Sequence, residues 1–260
     1  MSGIKVIACF YREDFLVPHF LNHYKFADTI IALVGESPDR TQALLDADPR
    51  VLSLPLNMPE GIDDVKKMDA LNQVLNTPDP NHDWSIVVDS DEFIWPHDPF
   101  FPDRPDFDPE FVHQFLAQMP ASSNVLMANM WQVFRHWSDT DLDTTKPPIF
   151  QRRHGMTDRD SGGREGYRKP IVIRTNSGLR LGAGNHRIDD GHLKIDPTYS
   201  FDGAHWAMAD PSFIIRRTRD RRDRMSARNR AGALGSHLFN ITTKGLLTEL
   251  EAHTNLPQLF

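Results

Sequence analysis

Two periodicities alternate through the first 96 residues of the chain. Continuous apolar runs, "KVIACFY", "TIIALV", "RVLSLPL" and "WSIVV", are separated by "EDFLVPHFLNHYKFA", "SPDRTQALLDA" and "GIDDVKKMDALNQVLNT". Runs that are apolar on both faces read as strands buried on both sides. The segments between them have helical spacing. Phe15, Leu16, His19, Phe20, His23 and Tyr24 share one face, with Pro18 in the first turn, where proline is tolerated. A Ser-Pro-Asp cap opens the second helix, and Val65, Met68, Leu71, Val74 and Leu75 form the apolar face of the third. Such alternation predicts an α/β, Rossmann-like, mostly parallel sheet flanked by helices. Ligands of these sheets bind beyond the carboxyl ends of the strands.

The fourth strand ends there in an unusual way. "VVDSDEFIWP" places Asp89, Asp91 and Glu92 within four residues, and apolar residues then resume. In an extended chain Asp89 and Asp91 point to the same side. At an effective dielectric near 20 they repel by roughly 2.5 kcal/mol. A divalent cation removes that cost, and a set of hard oxygen ligands suits Mg²⁺ or Mn²⁺, which also bind substrate phosphates. The plain alternative is a solvated acidic turn.

The pattern changes after residue 96. Residues 97–109 read as a loop, "PEFVHQFLAQM" as a short helix and "NVLMANMWQVF" as a strand. Residues 135–169 read as one long polar loop. "KPIVIRT" and "LRLGAGNHRI" read as strands, and "DPSFIIRRTRDRRDRMSARNRAG" and "TTKGLLTELEAHT" as helices. The single cysteine, Cys9, lies in an apolar run and excludes an internal disulfide framework. No signal-peptide pattern or bilayer-length apolar stretch is visible, so a soluble cytoplasmic protein is expected, with peripheral membrane attachment left open. The net charge of −7 argues against general nucleic-acid binding.

The segment "DWSIVVDSDEFIWP" resembles the Asp-X-Asp segment of glycosyltransferase family 2-like enzymes, which have the GT-A fold. Other pieces agree in order: "FYREDFLVPHFLNHY", "KKMDALNQVLN", "LGAGNHRI" and "GAHWAMADPSFIIRRTRDRR". Two loops depart from the family pattern. The first reads Arg12-Glu13-Asp14 rather than Arg-Asn-Glu, and the second is "GESPDRT", with Arg40 where glycine is frequent. The resemblance implies one domain over 1–260: a nucleotide-sugar-binding half at 1–96, an acceptor half at 97–205 and C-terminal helices at 206–260. It implies a metal-dependent, inverting glycosyltransferase acting on an unidentified acceptor. A phosphatase of the haloacid dehalogenase type is disfavoured, because its Asp pair follows the first strand. A binding module of the same fold without turnover is the non-enzymatic reading.

By the same resemblance Asp91 is the foremost metal ligand. Asp89 shares the metal or contacts the donor ribose, and Glu92 orients one of them or caps the turn. A late histidine adds a ligand: His205 first, His186 second. Arg12, Glu13 and Asp39 stand at strand ends near the nucleotide. Lys67 approaches the diphosphate, unless it belongs to a solvated helix face. Candidates for the base that deprotonates the acceptor are Asp158, Asp160, Glu165 and His186. Arg217, Arg221, Arg224 and Arg228 line one face of the segment Arg216–Arg230. That face either meets an anionic acceptor or a membrane surface, or is a solvent-exposed helix salt-bridged through Asp220 and Asp223.

Overall fold

The computed structural model describes residues 2–97, 107–157, 167–232, 243–254, 256 and 258. The four predicted strands form as β1 (Ile4–Phe10), β2 (Thr29–Val34), β3 (Val51–Pro55) and β4 (Trp84–Asp89). They lie parallel in the order β3-β2-β1-β4. The helices α1 (Val17–His23), α2 (Thr41–Asp46) and α3 (Asp64–Leu75) make the crossovers. Asp63 caps α3, its carboxylate accepting from the Val65 and Lys66 amides at 3.0 and 3.1 Å. The Ser-Pro-Asp cap of α2 differs from expectation. Arg40 is the cap residue, and Asp39 accepts from the Thr41 amide.

The sheet continues past β4 with β8 (Tyr167–Arg174), β6 (Val125–Phe134), β11 (Ile195–Met208) and β5 (Glu92–Pro96). β8 runs antiparallel to β4 and β6, β11 parallel to β6, and β5 antiparallel to β11. β7 (His154–Thr157) pairs with the second half of β6. Nine strands therefore form one curled, mixed sheet with a parallel half. A separate pair, β9 (Arg180–Leu181) and β10 (Ile188–Asp190), replaces the single strand expected at "LRLGAGNHRI". The predicted long loop at 135–169 is interrupted by β7 and by the start of β8.

The further helices among the described residues are α4 (Pro109–Ala117), α5 (Pro211–Arg224), α6 (Ala227–Ala231) and α7 (Thr243–Ala252). The predicted basic helix is thus two helices. Ser226 breaks it and caps α6, its hydroxyl accepting from the Asn229 amide at 3.2 Å. Within α3, Met68, Leu71 and Leu75 are buried, each stabilising the helix by about 1.5–3 kcal/mol. Val65, assigned from the sequence to the same face, is 41% exposed. Asn72 takes the inward place. Its amide exchanges hydrogen bonds of 2.8 and 2.9 Å with the Leu181 main chain.

The end of α5 is clamped to the start of α3. The Ile62 amide donates to Arg224 O at 2.7 Å, and the Ser226 amide donates to Ile62 O at 2.9 Å. Gly61, at φ +97°, permits this approach, because a Cβ there would collide with Arg224 O. The clamp lays α5 across the carboxyl ends of β1 and β4.

Candidate functional site

The loops after β1 and β2 are sewn together by the polar residues singled out in the sequence. The Arg12 amide donates to Ser37 Oγ at 3.0 Å, and the Glu13 amide donates to Thr41 Oγ1 at 2.8 Å. Asp39 accepts from the Asp14 and Thr41 amides at 3.3 and 3.1 Å. Arg12 has φ +52°, uncommon for a non-glycine residue, and its guanidinium reaches Asp220 of α5 at 3.0 Å. Arg12, Pro38, Asp39, Arg216 and Asp220 line an open cleft of about 210 Å³ beside the strand ends. This is where a sheet of this kind places its ligand.

Next to the cleft lies the acidic turn. Asp89 ends β4 and Glu92 begins β5, so the chain reverses at Ser90–Asp91. The reversal corrects the extended-chain expectation. Asp89 and Asp91 are held by different partners, not aimed together. Lys67 Nζ lies 2.5 Å from Asp89 Oδ1, and Lys169 Nζ lies 3.8 Å from Asp89 Oδ2. Lys169 also bonds Glu92 Oε1, while Glu92 Oε2 accepts from the Asp89 amide at 3.0 Å. Asp91 Oδ2 is bonded by Arg217 Nη1 and faced by His205 Nε2 at 3.3 Å. Arg217 Nε also meets Glu13 Oε1 at 3.0 Å. Arg221 lies within electrostatic reach of Glu13, Asp89 and Asp91. Four carboxylates are thereby matched by four cations from α3, β8 and α5.

The titrations follow from this arrangement. Burial pushes the Asp91 carboxyl up, but Arg217 and then His205 outweigh it and hold the group well below the usual carboxylate range. Asp89 is lowered against burial by Lys67 and Lys169. Glu13 goes the other way, because burial outweighs Arg217 and Arg221. The Cys9 thiol is pushed up to about 12 by burial.

Several sequence-predicted residues thus converge: Arg12, Glu13, Asp39, Lys67, Asp89, Asp91 and His205. His205 arrives on β11, in register with Glu92 of β5, and the next amide, Trp206 N, donates to Asp91 O at 2.7 Å. Lys67 pairs with Asp89 and is 22% exposed, and Lys66, at 44%, is the outward one. His186 is exposed beside the 3₁₀ turn Ala183–Asn185. Asp158, Asp160 and Glu165 lie outside the described residues. The salt-bridged, solvent-exposed reading of the basic helix is corrected for Arg217. Its side chain is 5% exposed and its partners are Asp91 and Glu13, not the helix's own aspartates. Arg224 stacks on the Tyr11 ring, 3.5 Å from its centroid.

Lys169 and the role of Arg217 were missed in the sequence. A signal existed for Arg217, since Phe213, Ile214, Arg217 and Thr218 form the buried face of α5. Lys169 opens the apolar run "PIVI" with nothing to mark it as buried.

An octahedral Mg²⁺ or Mn²⁺ has ligands at about 2.0–2.1 Å, so two at right angles stand roughly 3 Å apart. Asp91 Oδ2 and His205 Nε2 fit that spacing, whereas Asp89, Asp91 and His205 do not gather as three ligands within 4.8 Å of one another. Arg217 bonds the same Asp91 oxygen, so an ion there competes with it.

A parallel β3-β2-β1-β4 half-sheet, an acidic turn at the end of β4 and a late histidine beside it form one constellation. The fold is α/β, a Rossmann-like, part-parallel sheet flanked by helices, in line with the GT-A expectation. No protein-family model and no curated protein sequence matches the chain. Solved structures do align with it. Glucosyl-3-phosphoglycerate synthase from Mycobacterium tuberculosis, in complex with Mn²⁺, UDP and phosphoglyceric acid, is 17% identical over 50% of this chain and 43% of its own, with a TM-score of 0.32. A 4-diphosphocytidyl-2C-methyl-D-erythritol synthase is 13% identical over 67% and 76%, with a TM-score of 0.35. The corresponding synthase from Anaerococcus prevotii is 10% identical over 67% and 69%, with a TM-score of 0.29. The chain thus spans less than half the length of the first of these. At such scores the GT-A reading rests on strand order and site placement. No helix among the described residues is long and apolar enough to cross a membrane.

Proposed function

We propose that the chain is a nucleotide-sugar-dependent glycosyltransferase that works by inversion. One observation carries the reading: His205 Nε2 stands 3.3 Å from Asp91 Oδ2, at the carboxyl end of β4, although 114 residues separate the two in sequence. The donor nucleotide would occupy the cleft lined by Arg12, Pro38, Asp39 and Arg216. In the reaction an acceptor oxygen attacks the anomeric carbon, the bond to the diphosphate breaks, and a base takes the acceptor proton. Arg12 and Arg216 would meet the charge that develops on the leaving diphosphate. Asp91 and His205 would hold Mn²⁺ or Mg²⁺, with Asp89 sharing it. A bound ion would supply Lewis-acid neutralisation of the diphosphate. Asp158, Asp160, Glu165 and His186 stay as base candidates.

One feature favours a second reading, a binding module without turnover. Asp91 is sealed by Arg217 and its side chain is only 2% exposed. A haloacid dehalogenase-type phosphatase gains no such support, since the Asp pair follows the fourth strand in the chain.

Melting temperature measured against UDP, GDP, CMP and dTDP compounds, with and without Mn²⁺, tests the donor assignment. A metal-dependent shift with one nucleotide, absent in Asp91→Asn, is expected. Release of free sugar or glycosylated product separates transferase from binding module. No shift with any nucleotide, in a folded protein, would end both readings.

A further inference from the structure

A second cluster lies beyond the end of β6, and it shares no residue with the acidic turn. His136 and Asp139 follow Phe134, the last residue of β6, and His154 opens β7. A ring nitrogen of each histidine and a carboxylate oxygen of Asp139 lie within 4.8 Å of one another. The two imidazoles stack with centroids 4.1 Å apart. We propose that His136, Asp139 and His154 form a binding site for a divalent transition metal of the Zn²⁺ class, distinct from any ion at Asp91.

The donor set argues for that class. Two imidazoles and one carboxylate suit Zn²⁺ or Co²⁺ rather than Mg²⁺ or Ca²⁺, which prefer oxygen. His154 Nδ1 is buried and makes no hydrogen bond. It sits 3.9 Å from Asp139 Oδ1. Two ligands about 2.0–2.1 Å from zinc at a tetrahedral angle stand roughly 3.3 Å apart, so an ion needs this pair to close by about half an ångström and the two ring planes, 20° from parallel, to turn until their in-plane lone pairs converge. The other Asp139 oxygen is already engaged. Oδ2 accepts from the His136 amide at 2.8 Å and faces Arg152 Nε at 3.9 Å. That leaves Oδ1 turned toward His154. His136 Nδ1 pairs with Ser138 Oγ at 2.7 Å and accepts from the Ser138 amide at 3.3 Å, which leaves Nε2 as the nitrogen open to an ion. Three protein ligands leave one position open to water or a small anion. The ion would tie the exit of β6 to the entry of β7 and close the segment between them. Arg152, on that segment, donates to Ala209 O just before α5, so the clip adjoins the helix that carries Arg217.

The site is tested on the full-length chain, independently of the donor reading. Equilibrium dialysis against Zn²⁺ should leave one ion per chain, and Co²⁺ should give visible d–d absorption of a low-coordinate site. His154→Ala and His136→Gln should each lose the Co²⁺ spectrum and weaken Zn²⁺ binding at least tenfold, while Asp91→Asn retains both. If a histidine variant fails to fold, stoichiometry and Co²⁺ spectrum of the wild-type chain still decide. No retained Zn²⁺ and no Co²⁺ band in the folded wild type would overturn the assignment. So would Zn²⁺ or Co²⁺ binding that survives both histidine substitutions in an Asp91→Asn background, where the ion proposed at Asp91 has lost its carboxylate.

Discussion

Replacing Arg217 with methionine removes one cation from the centre of the site and keeps much of its apolar stem. The side chain is 5% exposed and bonds both Asp91 and Glu13, themselves nearly sealed from water. Taking one partner from a buried ion pair costs about 3–5 kcal/mol, because the remaining charge stays buried without compensation. Here two carboxylates are left facing each other, which places the cost at the upper end of that range. A chain of this size loses about 2–4 °C of Tm per kcal/mol, so Arg217→Met should melt roughly 10 °C or more below wild type. Urea unfolding of the single variants and of Arg217→Met/Asp91→Asn measures the coupling directly. The double variant should be more stable than additivity allows, by about 1–3 kcal/mol. Mn²⁺ should restore part of the lost stability in Arg217→Met but not in the double variant, because the ion needs the Asp91 carboxylate that Arg217 vacates. A loss under 1 kcal/mol with an additive cycle would refute the buried network. A coupled cycle without Mn²⁺ rescue would keep the network and discard Asp91 as a metal ligand.

Three further outcomes follow from the same structure. Glu92→Gln should cost about 3 kcal/mol by chemical denaturation, since it strips a buried partner from Lys169; an unchanged midpoint would contradict that pairing. His23 is buried, its Nε2 lies 2.8 Å from Ile94 O, and burial lowers its pKa to about 4. Between there and the ordinary value of 6.5 the unfolded chain binds a proton that the native chain does not. Stability should therefore fall as pH drops through that window, by up to about 1.4 kcal/mol per pH unit from this group, and NMR titration of His23 near 6.5 would exclude it. Cys9, with its thiol pushed up to about 12, should react with iodoacetamide at pH 8 far more slowly in native than in unfolded protein; equal rates would place it at the surface.

The parallel half of the sheet was legible because each strand there is a short apolar run closed by a local signal. β2 and β4 lie where the runs "TIIALV" and "WSIVVD" lie. β5 and β11 were not legible. β5 is five residues long, and β11 contains Pro197 and Gly203 and is buried mainly at Phe201–Ala204. Both are strands because β11 runs between β5 and β6, and local periodicity carries little of that pairing. The basic helix misled for a related reason. The arginine face ends at Arg224, since Arg228 belongs to α6, and a periodic face does not say whether it meets water or carboxylates.

Local sequence determined that a parallel α/β layer forms and that acidic residues collect at the end of its fourth strand, since hydrophobic period and strand order are encoded over short windows. Only the tertiary structure decided what neutralises those charges. Lys169 reaches Glu92 across 77 residues and Arg217 reaches Asp91 across 126. Charge pairing depends on distance in space and on exclusion of water, and both are set by how β8 and α5 close over the strand ends.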